Sequence, residues 1–127
     1  RPSIMSTIKA NTLLHSDGST TTQPSIPALD KRMAHSFITF QGTDTVAILA
    51  SYNVSSLVDN GTGQYTVNFT TNPSNIYYTS LVSSAENLNN TPWTEFPNQA
   101  IGSYQLRFYT GSAYIDVRRI FSLIFST

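Results

Sequence analysis

The 127-residue chain has no cysteine, which excludes disulfides, thiolate metal sites and a cysteine nucleophile. Charge is scarce and balanced: Lys and Arg number 7, Asp and Glu number 7, and the formal net charge is zero. No basic stripe is present to hold a phosphate backbone, so no nucleic-acid partner is expected. With only His15 and His35, an all-histidine metal centre within one chain is excluded, and neither a metal nor another cofactor is expected. No apolar run approaches the ~20 residues of a spanning helix, and the opening Arg1-Pro2-Ser3-Ile4-Met5 lacks the apolar stretch of a secretory signal. Membrane insertion is not expected.

Ser and Thr supply 34 residues, Asn supplies 10, and aromatics make up 12% of the chain. This composition favours strands and turns over helices. Residues 1–30 differ from the remainder of the chain. Ile8, Ala10, Thr12 and Leu14 alternate as one short strand would, and 15–25 is a polar linker containing Gly18 and Pro24. A lone strand cannot bury itself, so this segment is expected to pack on something else.

From Met33 onwards apolar residues recur at period two. The pattern predicts strands at 33–40, 45–54, 64–70, 76–82, 104–109, 114–117 and 119–125. In the second, Val46, Ile48, Ala50 and Tyr52 share a face; in the third, Tyr65, Val67 and Phe69 do. Asn60-Gly61 within 59–63 reads as a hairpin turn, because these residues tolerate positive φ. The last strand is apolar on both faces, which fits burial by the core on one side and by a second subunit on the other. One helical turn is expected within 28–33. The fold class is therefore all-β: an antiparallel β-sandwich or jelly-roll-like head at 31–127, with a short extended stem at 1–30.

No catalytic set emerges. There is no Gly-x-Ser-x-Gly elbow, and neither histidine lies in a motif that places it beside a nucleophile. His35 reads as a strand-face side chain in the first strand, and His15-Ser16-Asp17 as a solvated loop with a weak metal-binding alternative. Glu86 and Glu95 are the only carboxylates in the longest aperiodic stretch, 83–102; a glycosidase pair would need them at a fixed separation. Four Asn-x-Ser/Thr sequons, at Asn53, Asn60, Asn68 and Asn89, are no more than this composition scatters by chance.

The stretch 83–102 also gathers Asn87, Asn89, Asn90, Asn98 and Gln99 around Trp93, the single tryptophan. An aromatic face beside amides suits sugars, pairing stacking with hydrogen bonds to hydroxyls. The ring either folds back as a core plug or stands out as a binding platform, and these six residues form the candidate ligand site.

Residues 42–71, which include Ser51-Tyr52-Asn53-Val54-Ser55-Ser56 and Asp59-Asn60-Gly61-Thr62-Gly63-Gln64-Tyr65-Thr66-Val67-Asn68-Phe69, closely resemble a module of short tail-fibre-like proteins of marine phages, cyanophages and prophages. Ser6-Thr7-Ile8-Lys9-Ala10-Asn11-Thr12-Leu13 is similar to the opening of those proteins. The two stretches cover about a third of the chain, and 72–127 matches only in general character. The resemblance implies a non-enzymatic virion component on the particle exterior. It would be a homotrimer whose 1–30 stem attaches or trimerises and whose head binds a host surface glycan or another virion protein. A purely structural head fibre, decoration or adaptor protein, and a carbohydrate-active tailspike-type domain, are the alternatives. No catalytic residue carries over.

Overall fold

A computed structural model describes residues 7–19, 26–30, 32–85 and 92–126. It divides the chain into two units, Arg1–Asp30 and Lys31–Thr127. In the first, residues 7–14 form no strand, contrary to the alternation of Ile8 to Leu14: a strand exists only where a neighbour completes its hydrogen bonds, and among the described residues none does so here. Gly18 N–H donates to the His15 carbonyl at 2.8 Å, closing a turn. The helical turn lies at Pro27–Asp30 (α1), one residue earlier than expected.

The second unit is a sandwich of two four-stranded antiparallel sheets. Its strands are β1 (Ser36–Gln41), β2 (Ala47–Tyr52), β3 (Val54–Gly61), β4 (Gln64–Phe69), β5 (Thr79–Ala85), β6 (Trp93–Glu95), β7 (Ser103–Tyr109) and β8 (Arg119–Phe125). Sheet I has the order β2-β1-β8-β5 and sheet II the order β3-β4-β7-β6. Alternation drives the layering. In β4 the side chains of Tyr65, Val67 and Phe69 are buried, in β7 those of Tyr104, Leu106 and Phe108, in β1 Ile38 and Phe40, and in β8 Ile120 and Ile124. These residues form one core with Tyr78 and Val117.

Half of the core residues are aromatic, and their rings meet at an angle, as their quadrupoles favour. Phe40 and Tyr65 are T-shaped with centroids 5.0 Å apart, and Phe69 meets Tyr78 edge-on at 5.6 Å. Buried tyrosine hydroxyls need partners, and two of them find partners across the sandwich. Tyr104 on β7 donates to Ser122 Oγ on β8 at 2.8 Å, and Tyr65 on β4 reaches the Gly42 carbonyl just beyond β1 at 2.8 Å. Burial pushes the Tyr104 hydroxyl pKa up to about 12 and, with Asp116 beside it, raises that of Tyr65 further.

The expected strand at 45–54 is two strands in different sheets. Asn53, at φ 55°, is the single residue between β2 and β3, and Asn is among the few side chains that tolerate this region. Its amide fixes the corner: Nδ2 donates to the carbonyls of His35 (3.1 Å) and Thr71 (2.9 Å), while Oδ1 accepts from Thr71 N–H at 2.7 Å. His35 lies just before β1 rather than within it, with Nε2 2.9 Å from the Thr71 carbonyl. The shared face expected for Val46, Ile48, Ala50 and Tyr52 is also lost, because the register between β1 and β2 shifts at Thr39/Phe40 and all six residues of β2 are exposed.

The β3–β4 hairpin has its tip at Thr62-Gly63, two residues beyond the Asn60-Gly61 pair, and Gly61 and Gly63 both take positive φ (128° and 65°). Gly63 is the more constrained. A Cβ there would lie 2.8 Å from Ile115 N, and its own N–H donates to Asp116 Oδ1 at 2.7 Å.

Candidate glycan-binding face

The stretch 83–102 is not one long loop. β5 runs on to Ala85, and Trp93–Glu95 forms β6, which pairs with β7 as the edge of sheet II. Trp93 lies opposite Tyr109, and Glu95 opposite Arg107. Since Leu106 and Phe108 point into the core, Arg107 and Tyr109 point outward, and so do their partners. Trp93 is 64% exposed, which rules out the core-plug reading.

Its neighbours are aromatic. The Trp93 and Tyr109 centroids are 6.5 Å apart, and Tyr109 and Tyr114, joined by an isolated bridge, are 5.1 Å apart. The Arg107 guanidinium carbon sits 5.8 Å from the Tyr114 ring centroid, within cation–π range. Gly111 leaves room beside the indole, because a Cβ there would be 3.7 Å from its Cη2.

Beyond Arg107 the outer face of sheet II becomes amide-rich. Gln64 on β4 lies opposite Arg107, and Thr66 lies opposite Gln105. A shallow cleft of about 110 Å³ is lined by Asn60, Gln64, Gln105 and Arg107, with Tyr65 and Leu106 beneath. That is well below the ~300–1,000 Å³ of an enclosing small-molecule pocket. Thr66 Oγ1 donates to Asn60 Oδ1 at 2.6 Å, and Asn68 Nδ2 donates to Ser56 Oγ at 2.9 Å, so these four side chains hold one another in place. A shallow array of amides and hydroxyls ending in three aromatic rings suits an extended, hydroxylated ligand laid across it.

The six residues expected to form the site do not all meet there. Asn87, Asn89 and Asn90 lie outside the described residues, as does Glu86, so no carboxylate separation follows for Glu95. Asn98 is exposed and its carbonyl accepts the Gln105 N–H at 2.9 Å, which places it at the border of the same face. Gln99 bridges to Tyr104, whose side chain points into the core, and its own amide donates to Ser80 Oγ on β5 at 3.1 Å. It therefore lies on the opposite side of sheet II from Trp93 and ties the two sheets together. Tyr109, Tyr114, Arg107, Gln105 and Gln64 were missed by sequence reasoning centred on the loop. Their signal was the complement of the core pattern: in Ser103 to Tyr109 the residues between the buried ones are Gln105 and Arg107, and in Gln64 to Phe69 they are Thr66 and Asn68.

His15 Nδ1 lies 3.1 Å from Asp17 Oδ1 in a solvent-exposed turn. Among the described residues no helix is long and apolar enough to cross a membrane. Comparison with protein-family models, with curated proteins and with solved structures returned no match to this chain, so the reading of this face rests on its geometry.

Proposed function

We propose that this chain is a non-catalytic bacteriophage virion component of the tail-fibre type. It sits on the particle exterior as a homotrimer and binds a host surface glycan through the outer face of sheet II. The observation that carries the glycan reading is the exposed Trp93 beside Tyr109, which in turn meets Tyr114, on the same face as Arg107 and the amides of Gln64 and Gln105. Stacking on aromatic faces supplies apolar contact to the C–H surface of a sugar ring, and amides and Arg107 supply its hydroxyl partners. The resemblance of 42–71 to tail-fibre-like proteins supports the virion setting. Each contact on so shallow a surface is weak, and three copies on a repetitive cell surface raise the effective affinity by multivalency.

Trp93→Ala tests the proposal directly. Adsorption of the purified chain to host cells falls at least tenfold while the melting temperature holds. Unchanged adsorption would overturn the glycan reading. A purely structural role, as a head fibre, decoration or adaptor protein, is favoured by a different observation, the apolar outer face of sheet I, and would leave glycan-array binding at background.

A further inference from the structure

The outer face of sheet I is unlike a surface built to meet water. The register aligns one residue from each strand in a straight row, Tyr52, Phe37, Leu123 and Leu81, and the adjacent row places Phe121 between Thr39 and Ser83. Phe37, Tyr52, Leu81 and Phe121 are each between 39% and 57% exposed. At roughly 200 Å² per large side chain, these four leave roughly 350 Å² of apolar surface uncovered. A patch of this size is in the range of the largest on a monomeric protein, which is often functional.

We infer that this face is buried against a second copy of the same chain. The two central rows carry no charged side chain, and the one charge on the face, Arg119, lies at the margin in the next row between Gln41 and Ala85, so the centre of the face brings no like-charge repulsion when it meets itself. Its area is also appropriate. The four side chains alone supply nearly half of the ~800 Å² per partner of a standard interface, and the uncharged, fully exposed β2 extends the surface to the sheet edge.

The face carries both halves of a head-to-tail contact. Phe37 and Tyr52 stack with centroids 6.0 Å apart and form a ridge over β1 and β2, while a groove of about 350 Å³ runs beside them over β1, β8 and β5. This pairing rests on the homotrimer proposed above: a three-fold axis places the ridge of each copy against the groove of the next, a heterologous contact that closes the ring. Nothing in this pairing depends on binding by sheet II.

The test uses the full chain in sedimentation equilibrium across micromolar concentrations, comparing wild type with Leu81→Arg and Phe121→Arg. Val58→Arg, exposed on β3 of the other sheet, is the control. Wild type and the control sediment as trimers; both sheet I variants sediment at the mass of one chain, with the circular dichroism spectrum of wild type. Because the chain lacks cysteine, Thr39→Cys gives a second readout: its thiol reacts at least tenfold more slowly in the oligomer than after dilution to monomer. A wild-type monomer at 100 μM or more, oligomers that survive both arginines, or a thiol in the Thr39→Cys variant equally reactive in both states would each overturn the inference. Loss of glycan binding by Trp93→Ala with the oligomer intact keeps this outcome separate from the proposal for sheet II.

Discussion

Sheet II turns Gln64, Thr66, Gln105 and Arg107 outward, whereas sheet I turns Phe37, Tyr52, Leu81 and Phe121 outward, although both turn aromatic and branched side chains into the same core. Backbone architecture does not separate them, since both are four-stranded and antiparallel. The difference lies only in the residues between the buried ones. A polar outer layer is what a solvated or sugar-facing sheet needs, and an apolar one is stable only when covered. In a two-layer fold the core pattern therefore specifies the architecture, and its complement specifies what each sheet meets.

The sharpest way to break the comparison is to remove what the sheets share. Phe108 is fully buried between them, and Phe108→Ala is expected to cost about 3–5 kcal/mol, with both outer faces lost in one cooperative transition. Chemical denaturation followed by far-ultraviolet circular dichroism and by Trp93 fluorescence checks this, and the two probes should coincide. Gly63→Val comes next. It places a β-branched residue at φ 65° against the Ile115 backbone, for about 2–3 kcal/mol. Gly61→Val, at a φ of 128° with open space around it, is expected to cost about half as much in the same denaturation experiment.

Tyr104→Phe cuts one tie between the sheets and leaves Ser122 Oγ without its buried partner, for about 1–2 kcal/mol at neutral pH. It also sharpens the comparison through pH. A hydroxyl whose pKa rises from 10.0 unfolded to about 12 folded contributes stability that is fully present below pH 10 and lost as pH climbs towards 12. The melting temperature of wild type should therefore fall across that interval. The variant should fall less steeply, Tyr65 and Tyr78 still contributing in the same direction.

Much of this was legible in the sequence. The last strand has the bounds expected of it, 119–125, and the alternation in 64–70 and 104–109 names half of the core. What was not legible depends on partners distant in the chain. The break at Asn53 is set by bonds to His35 and Thr71, 18 residues away on either side, and nothing in Tyr52-Asn53-Val54 announces them. The shift opposite Thr39/Phe40 exposes β2 although its own alternation reads as half-buried. In 83–102 a three-residue strand is too short to carry a period, and Gln99 was grouped with Trp93 by proximity in sequence although the bridge to Tyr104 turns it to the opposite side of the sheet. Trp93, expected in a loop as either a core plug or an exposed platform, instead stands exposed on the edge strand β6.

The smallest expected effect on stability is therefore at Trp93, where truncation to Ala should change the free energy of unfolding by less than about 1 kcal/mol, against the ~3–5 kcal/mol of a core aromatic.

Because Trp93 is the only tryptophan, its fluorescence reports on the outer face of sheet II without a label. The most direct test of the binding role assigned to that face is a titration of the intact chain with polysaccharide from the host cell surface while Trp93 emission is followed. A saturable change in emission that is weakened in Gln105→Ala, and that persists in Leu81→Arg at higher polysaccharide concentration because multivalency is lost, is the predicted result. Polysaccharide that binds the chain, measured by co-sedimentation, while Trp93 emission stays unchanged would contradict it.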